Sequence, residues 1–178
     1  MSVRVGAAAP VIPVPAYVPG EAEPRVMSVD DHRGEWVVLM FYPRDFTFVC
    51  PTELRALAEL EADFFACGAR VIAASTDSYW SHRAWFGSEP ALAGVRYPVL
   101  ADSTLALGNA YGVLADDGSA LRATIVIDPS GVVRHVSISD QAIGRSPAET
   151  LRVIQALQTG DLCPVDWRPG KPTLRLAA

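Results

Sequence analysis

The feature that most constrains this chain is the run Glu35–Tyr42, EWVVLMFY, cut off by Pro43. It is apolar without alternation, of strand length, and far short of a membrane span. Such a run suits a strand buried on both faces, which needs helices on either side of a sheet. Directly after it the period changes. Leu54, Leu57, Leu60, Phe64 and Phe65 recur at spacings of three and four, with Glu59 and Asp63 opposite. This predicts an amphipathic helix from Thr52, with Pro51 in its first turn and Gly68 ending it.

The same punctuation continues downstream. Ala69–Ser75 reads as a second buried strand, residues 78–86 as a short aromatic-rich helix, Tyr97–Ala101 as a third strand and Thr104–Tyr111 as a helix closed by Gly112. Arg122–Asp128 and Val132–Ser137 flank a Pro-Ser-Gly turn and predict a hairpin. Pro147–Thr159 is a closing helix with Leu151, Ile154 and Leu157 on one face. Residues 1–34 are rich in proline and turns, with an apolar patch at Val26–Val29 expected to form a strand pair or an ordered arm. The order predicts an α/β fold: a central mixed β-sheet flanked by helices, with an N-terminal extension and a C-terminal tail. At 178 residues it is expected to be one domain, residues 1–160, with residues 161–178 as the tail.

Composition removes several functions. Half of the residues are hydrophobic, which excludes a disordered chain. The net charge of −5 comes without any cluster of lysine or arginine, so nucleic acid is not an expected partner. No apolar run approaches the roughly 18 residues of a membrane span, and no membrane association is expected. The opening segment is apolar but broken by Pro10, Pro13, Pro15 and Pro19, unlike a signal peptide, which leads to an expected cytoplasmic location. No G-x-G-x-x-G follows a strand and no phosphate-binding G-x-x-x-x-G-K-[ST] occurs. His32, His82 and His135 show no ligand spacing with the cysteines, so a metal is not expected, and without those glycine motifs a dinucleotide cofactor is not expected either.

The three cysteines, Cys50, Cys67 and Cys163, are too few and odd in number for a disulfide scaffold. Cys50 stands where the first buried strand gives way to the helix. A helix N-terminus stabilises a thiolate over a thiol, and the thiolate is the nucleophile. Thr47 lies three residues earlier, its hydroxyl able to reach the same space, while Pro43 and Pro51 stiffen the segment. Burial as a small apolar residue is the alternative for Cys50; the flanking prolines, the turn and Thr47 favour a reactive thiol. For Cys67, next to Gly68 at a helix end, simple burial is expected. Trp80, Trp85 and Phe86 are expected to pack their helix against the core.

The segment FYPRDFTFVCPTEL, Phe41–Leu54, resembles the signature of the peroxiredoxins of the typical two-cysteine class, which includes alkyl hydroperoxide reductase C. The family pattern P-x-x-x-T-x-x-C is met by Pro43, Thr47 and Cys50, and the match extends through Glu53. Arg122–Gly170 is similar to the carboxy-terminal half of that class. The resemblance implies a thioredoxin-like fold. It implies that Cys50 is the peroxidatic nucleophile, that Arg122 faces its sulfur, and that Glu53 and Arg145 support the site. It also implies that Cys163, in Leu162-Cys163-Pro164, is the resolving cysteine, which pairs with Cys50 across a head-to-tail homodimer, with a higher ring left open. Hydrogen peroxide and organic hydroperoxides are the implied substrates. The implied reductant is a dithiol: thioredoxin, a flavoprotein reductase or an AhpD-like adaptor.

Two departures from the family stand out. The Gly-Gly-Leu-Gly loop of peroxide-sensitive members would fall in Gly87–Arg96, where GSEPALAGVR has no such run, and the Tyr-Phe pair of their carboxy-terminal helix has no counterpart in KPTLRLAA. Resistance of Cys50 to over-oxidation is therefore expected. Two other readings rank lower. A disulfide reductase on the same fold lacks its C-x-x-C, and a non-catalytic holdase would leave Thr47, Cys50, Arg122 and Cys163 without purpose.

Overall fold

A computed structural model of the chain describes residues 3–174. Its centre is one seven-stranded sheet built from β1 (Val14–Tyr17), β2 (Arg25–Met27), β3 (Trp36–Phe41), β4 (Ala69–Ser75), β5 (Val99–Ala101), β6 (Arg122–Ile127) and β7 (Val133–Ser139). The strands lie in the order β2-β1-β5-β4-β3-β6-β7. β3, β4 and β5 run parallel, and the remaining pairs are antiparallel, so the sheet is mixed. Five α-helices accompany it: α1 (Cys50–Glu59), α2 (Glu61–Ala66), α3 (Tyr79–Ser88), α4 (Ala106–Tyr111) and α5 (Pro147–Gln158).

The unalternating run is explained by β3 lying in the middle of this sheet. Val37, Leu39 and Phe41 enter one apolar cluster with Tyr111 and Val113, while Val38, Met40 and Tyr42 enter the other with Leu54, Phe64, Trp85 and Ile154. Alternate side chains point to opposite faces, and both faces are dry. The patch near Val26 forms a strand pair: β1 and β2 make a hairpin that extends the sheet beside β5.

Four expectations need correction. The single helix after Cys50 is two, because at Leu60 the backbone leaves helical geometry (φ −103°, ψ 3°) before α2 begins. Phe64 joins Leu54 and Leu57 in the apolar cluster under the sheet, and Phe65 is exposed, with the Arg70 guanidinium 4.6 Å above its ring. Trp85 and Phe86 pack inward as expected, but Trp80 is exposed, edge-on to Tyr79. Cys67 is only half-buried, with the Gln155 amide 3.8 Å from its sulfur. The segment after α5 also folds back on itself: Leu162 pairs with Leu174, and Trp167 is buried with its ring N–H donated to Lys171 O at 2.9 Å. Residues 175–178 of the expected tail lie outside the described residues.

Candidate active site

The parallel strand β3 delivers the chain to Pro43, which is buried, and the loop to Val49 then feeds α1. Cys50 is the first residue of that helix, with Pro51 beside it where no N–H is needed. The Cys50 side chain has no exposure to solvent. A neighbour of β3 in the sheet, β6, completes the surroundings. β6 starts at Arg122, directly across from the Cys50 end of β3, since Ala123 pairs with Phe41.

Arg122 is buried and its three contacts fix the guanidinium plane. Nη1 lies 3.5 Å from Cys50 Sγ and donates to Glu53 Oε2 at 2.6 Å, while Nε donates to the Gln141 carbonyl at 2.7 Å. Glu53 is one turn into α1 and equally buried. Its carboxylate also receives Arg145, through the backbone N–H at 2.7 Å, Nε at 2.8 Å and Nη2 at 3.0 Å. Arg145 Nη1 reaches back to the Ala123 carbonyl at 2.7 Å. Two buried guanidiniums therefore share one carboxylate, and one positive charge remains uncompensated beside the sulfur.

Burial alone would raise the Glu53 carboxyl. The hydrogen bonds and charge of Arg145, together with the charge of Arg122, outweigh it and hold the carboxyl below its ordinary value. Glu53 is thus an acceptor throughout the neutral range.

Cys50, Arg122, Glu53 and Arg145 are brought together as the sequence suggested. Thr47 is on the same loop, but its hydroxyl donates to the Arg44 carbonyl at 2.9 Å, leaving its lone pairs to accept from another group. Cys163 stands apart from this cluster. It is half-buried beside the end of α5, with its sulfur 3.4 Å from Thr159 Oγ1 and 3.7 Å from the Ala156 carbonyl. A groove of about 620 Å³ opens next to it, bordered by Arg134, His135 and Arg152. Among the described residues, no three His, Cys, Asp or Glu side chains gather as a metal site.

The pattern of the AhpC/TSA family matches residues 5–136. A thioredoxin peroxidase from Echinococcus granulosus is 41% identical, with 100% of this chain and 95% of the relative covered. Peroxiredoxin-2 from Mus musculus is 41% identical over 97% of this chain and 90% of its own. The chain is a peroxiredoxin. Solved structures agree: the reduced 2-Cys peroxiredoxin of Plasmodium vivax superposes with a TM-score of 0.90 at 37% identity, covering 95% of this chain and 91% of that one. AhpC from Mycobacterium tuberculosis gives a TM-score of 0.86 at 34% identity over 94% of this chain and 100% of that one. The fold is therefore thioredoxin-like, and the protein is an oxidoreductase of the peroxidase kind.

Two features of this peroxiredoxin's site were not visible in the sequence. The Gln141 carbonyl orients Arg122, and any residue type could supply it. His82, one of three scattered histidines, is fully buried and bonds to Asp45 at 2.8 Å. A partner 37 positions away leaves no spacing to read.

Proposed function

We propose that this peroxiredoxin is a typical two-cysteine thiol peroxidase that reduces hydrogen peroxide and organic hydroperoxides, with an antioxidant role. The observation that carries this reading is the Arg122 guanidinium held 3.5 Å from a buried Cys50 sulfur at a helix start. In the first step the Cys50 thiolate attacks one peroxide oxygen and the O–O bond breaks. The thiolate becomes a sulfenic acid, and the departing oxygen takes a proton and leaves as water or alcohol. Negative charge passes from the sulfur to the departing oxygen, so fixed donors aimed at that oxygen lower the barrier. Arg122 keeps its proton throughout and can contact sulfur and peroxide with different N–H groups. In this reading Thr47, whose own proton goes to the Arg44 carbonyl, accepts from the peroxide hydroxyl.

In the second step the Cys163 thiol condenses with the sulfenic acid, forming a disulfide and releasing water. Cys163 belongs to residues 161–178, which we assign as the resolving tail to the peroxidase domain of residues 1–160. We assign the disulfide to two subunits of a homodimer. The separate setting of Cys163 supports this, as does β7, which pairs only with β6 among the described strands. A dithiol reductant then exchanges with the disulfide, is itself oxidised, and returns both thiols.

Replacement of the two cysteines separates the steps. Cys50→Ser is expected to abolish peroxide consumption, and Cys163→Ser to allow one turnover and then stall unless external thiol is added. Peroxide consumption by Cys50→Ser in the presence of a dithiol would overturn the reading. The segment Gly87–Arg96 holds the end of α3 and a short 3-10 turn at Pro90–Leu92 in place of a glycine-rich loop. Cys50 is accordingly expected to survive cycling in millimolar peroxide. Mass spectrometry showing abundant sulfinic Cys50 would contradict that part.

A further inference from the structure

The proposed reaction uses Thr47 and Cys50, yet neither residue explains why the loop between β3 and α1 takes its path. Along that loop Arg44, Phe46 and Phe48 are exposed, whereas Asp45 is buried, its side chain 1% accessible. A buried carboxylate is costly unless it is fully hydrogen-bonded. This one accepts from three donors on two elements. The Tyr42 hydroxyl, at the end of β3, donates to Oδ1 at 2.7 Å. From α3, Ser81 Oγ and His82 Nδ1 approach Oδ2 at 2.7 and 2.8 Å.

The backbone of Asp45 is tied down as well. Its N–H donates to Asp77 Oδ2 at 2.9 Å, and that carboxylate is held by the Ser75 hydroxyl at 2.7 Å, at the end of β4. Residue 45 is thus fastened to β3, β4 and α3 at once. The next residue, Phe46, has φ of +54°, a left-handed conformation that a bulky residue adopts only when its surroundings impose it. Its ring lies 6.0 Å from that of buried Trp85. Past this turn the Thr47 hydroxyl meets the Arg44 carbonyl and the helix opens at Cys50.

We propose that Asp45 is a positioning residue for the peroxide reaction: gripped by Tyr42, Ser81 and His82, its carboxylate forces the left-handed turn at Phe46 and so places the Thr47 hydroxyl relative to the Cys50 sulfur. This deepens the peroxidase reading and rests on it. An in-line displacement is sensitive to such placement, since a shift near 1 Å can cost about a hundredfold in rate. Alkylation of the same thiol by iodoacetamide needs no oriented peroxide and does not use Thr47.

The test compares these two reactions of Cys50 in the full-length protein, after confirming that the unaltered chain consumes peroxide. An inert unaltered chain would refute the peroxidase reading itself. With an active one, Asp45→Asn is expected to lower the second-order rate with hydrogen peroxide by about tenfold or more while alkylation changes by less than about twofold. Ser81→Ala, which removes one donor of three, is expected to lower the peroxide rate by about threefold with alkylation again unchanged. Wild-type peroxide rates in Asp45→Asn would overturn the inference. So would alkylation that changes as much as the peroxide rate, because general loosening of the fold alters access for both reagents. Should Asp45→Asn fail to fold, an unchanged peroxide rate in Ser81→Ala overturns it.

Discussion

Glu53 is the residue on which the site's electrostatics turn. Its carboxylate is shared by Arg122 and Arg145, and removing its charge leaves two buried cations facing each other. Breaking a buried ion cluster from one side costs about 3–5 kcal/mol, far more than any exposed pair on this surface. Glu53→Gln is therefore expected to lower stability at neutral pH by that order. The pH dependence has a defined sign. Because the folded carboxyl titrates below its ordinary value of 4.5, its contribution is present above that value and is lost as pH falls below it. Melting points measured from neutral to acid pH should fall more steeply for the unaltered protein than for Glu53→Gln. Parallel curves would show that the triad does not hold the carboxylate. Arg122→Lys keeps a positive charge but loses the planar fork that serves sulfur, Glu53 and Gln141 together. It is expected to cost about a hundredfold in peroxide rate, the scale of one lost transition-state donor, with reductant KM unchanged.

The division of the helix after Cys50 governs the element scale. A straight amphipathic helix would bury Phe64 and Phe65 comparably, but the break at Leu60 leaves Phe64 with no exposure and Phe65 with 60%. Phe64→Ala is expected to cost about 3–5 kcal/mol and Phe65→Ala less than about 1 kcal/mol in denaturant unfolding. Equal losses would contradict the break. This element also shows what sequence can and cannot reveal. The apolar run of β3, the period change at Pro51 and the Thr47–Cys50 spacing are local, so the sheet, the helix start and the proposed nucleophile were legible. The break at Leu60 was not, because no glycine or proline marks it. The outward turn of Trp80 and the burial of Trp167 are likewise tertiary outcomes that aromatic content alone does not determine. Arg122 and Arg145 were singled out through the family motif, whereas Gln141 meets Arg122 through its backbone carbonyl and Asp45 meets Ser81 and His82, distant in sequence.

At the scale of the whole molecule, the two thiols of the proposed cycle occupy different environments. Cys50 is sealed at the start of α1, and Cys163 lies just past the end of α5 beside an open groove. A disulfide between them requires the first turn of α1 to open, which also breaks the Arg122–Sγ contact and the Glu53 pair. Oxidation should therefore raise amide exchange over residues 47–53 while β3 and β6 stay protected. Non-reducing gels of oxidised protein should show a dimer band that disappears in either Cys50→Ser or Cys163→Ser and persists when Cys67 is replaced.

The most direct measurement treats Cys163→Ser with one equivalent of hydrogen peroxide in the presence of a sulfenic-acid trap, followed by peptide mass spectrometry. The trap is expected on the Cys50 peptide, in proportion to peroxide consumed, with Cys67 unlabelled. Peroxide consumption with the label on Cys67, or with no label on Cys50, would contradict Cys50 as the attacking thiol.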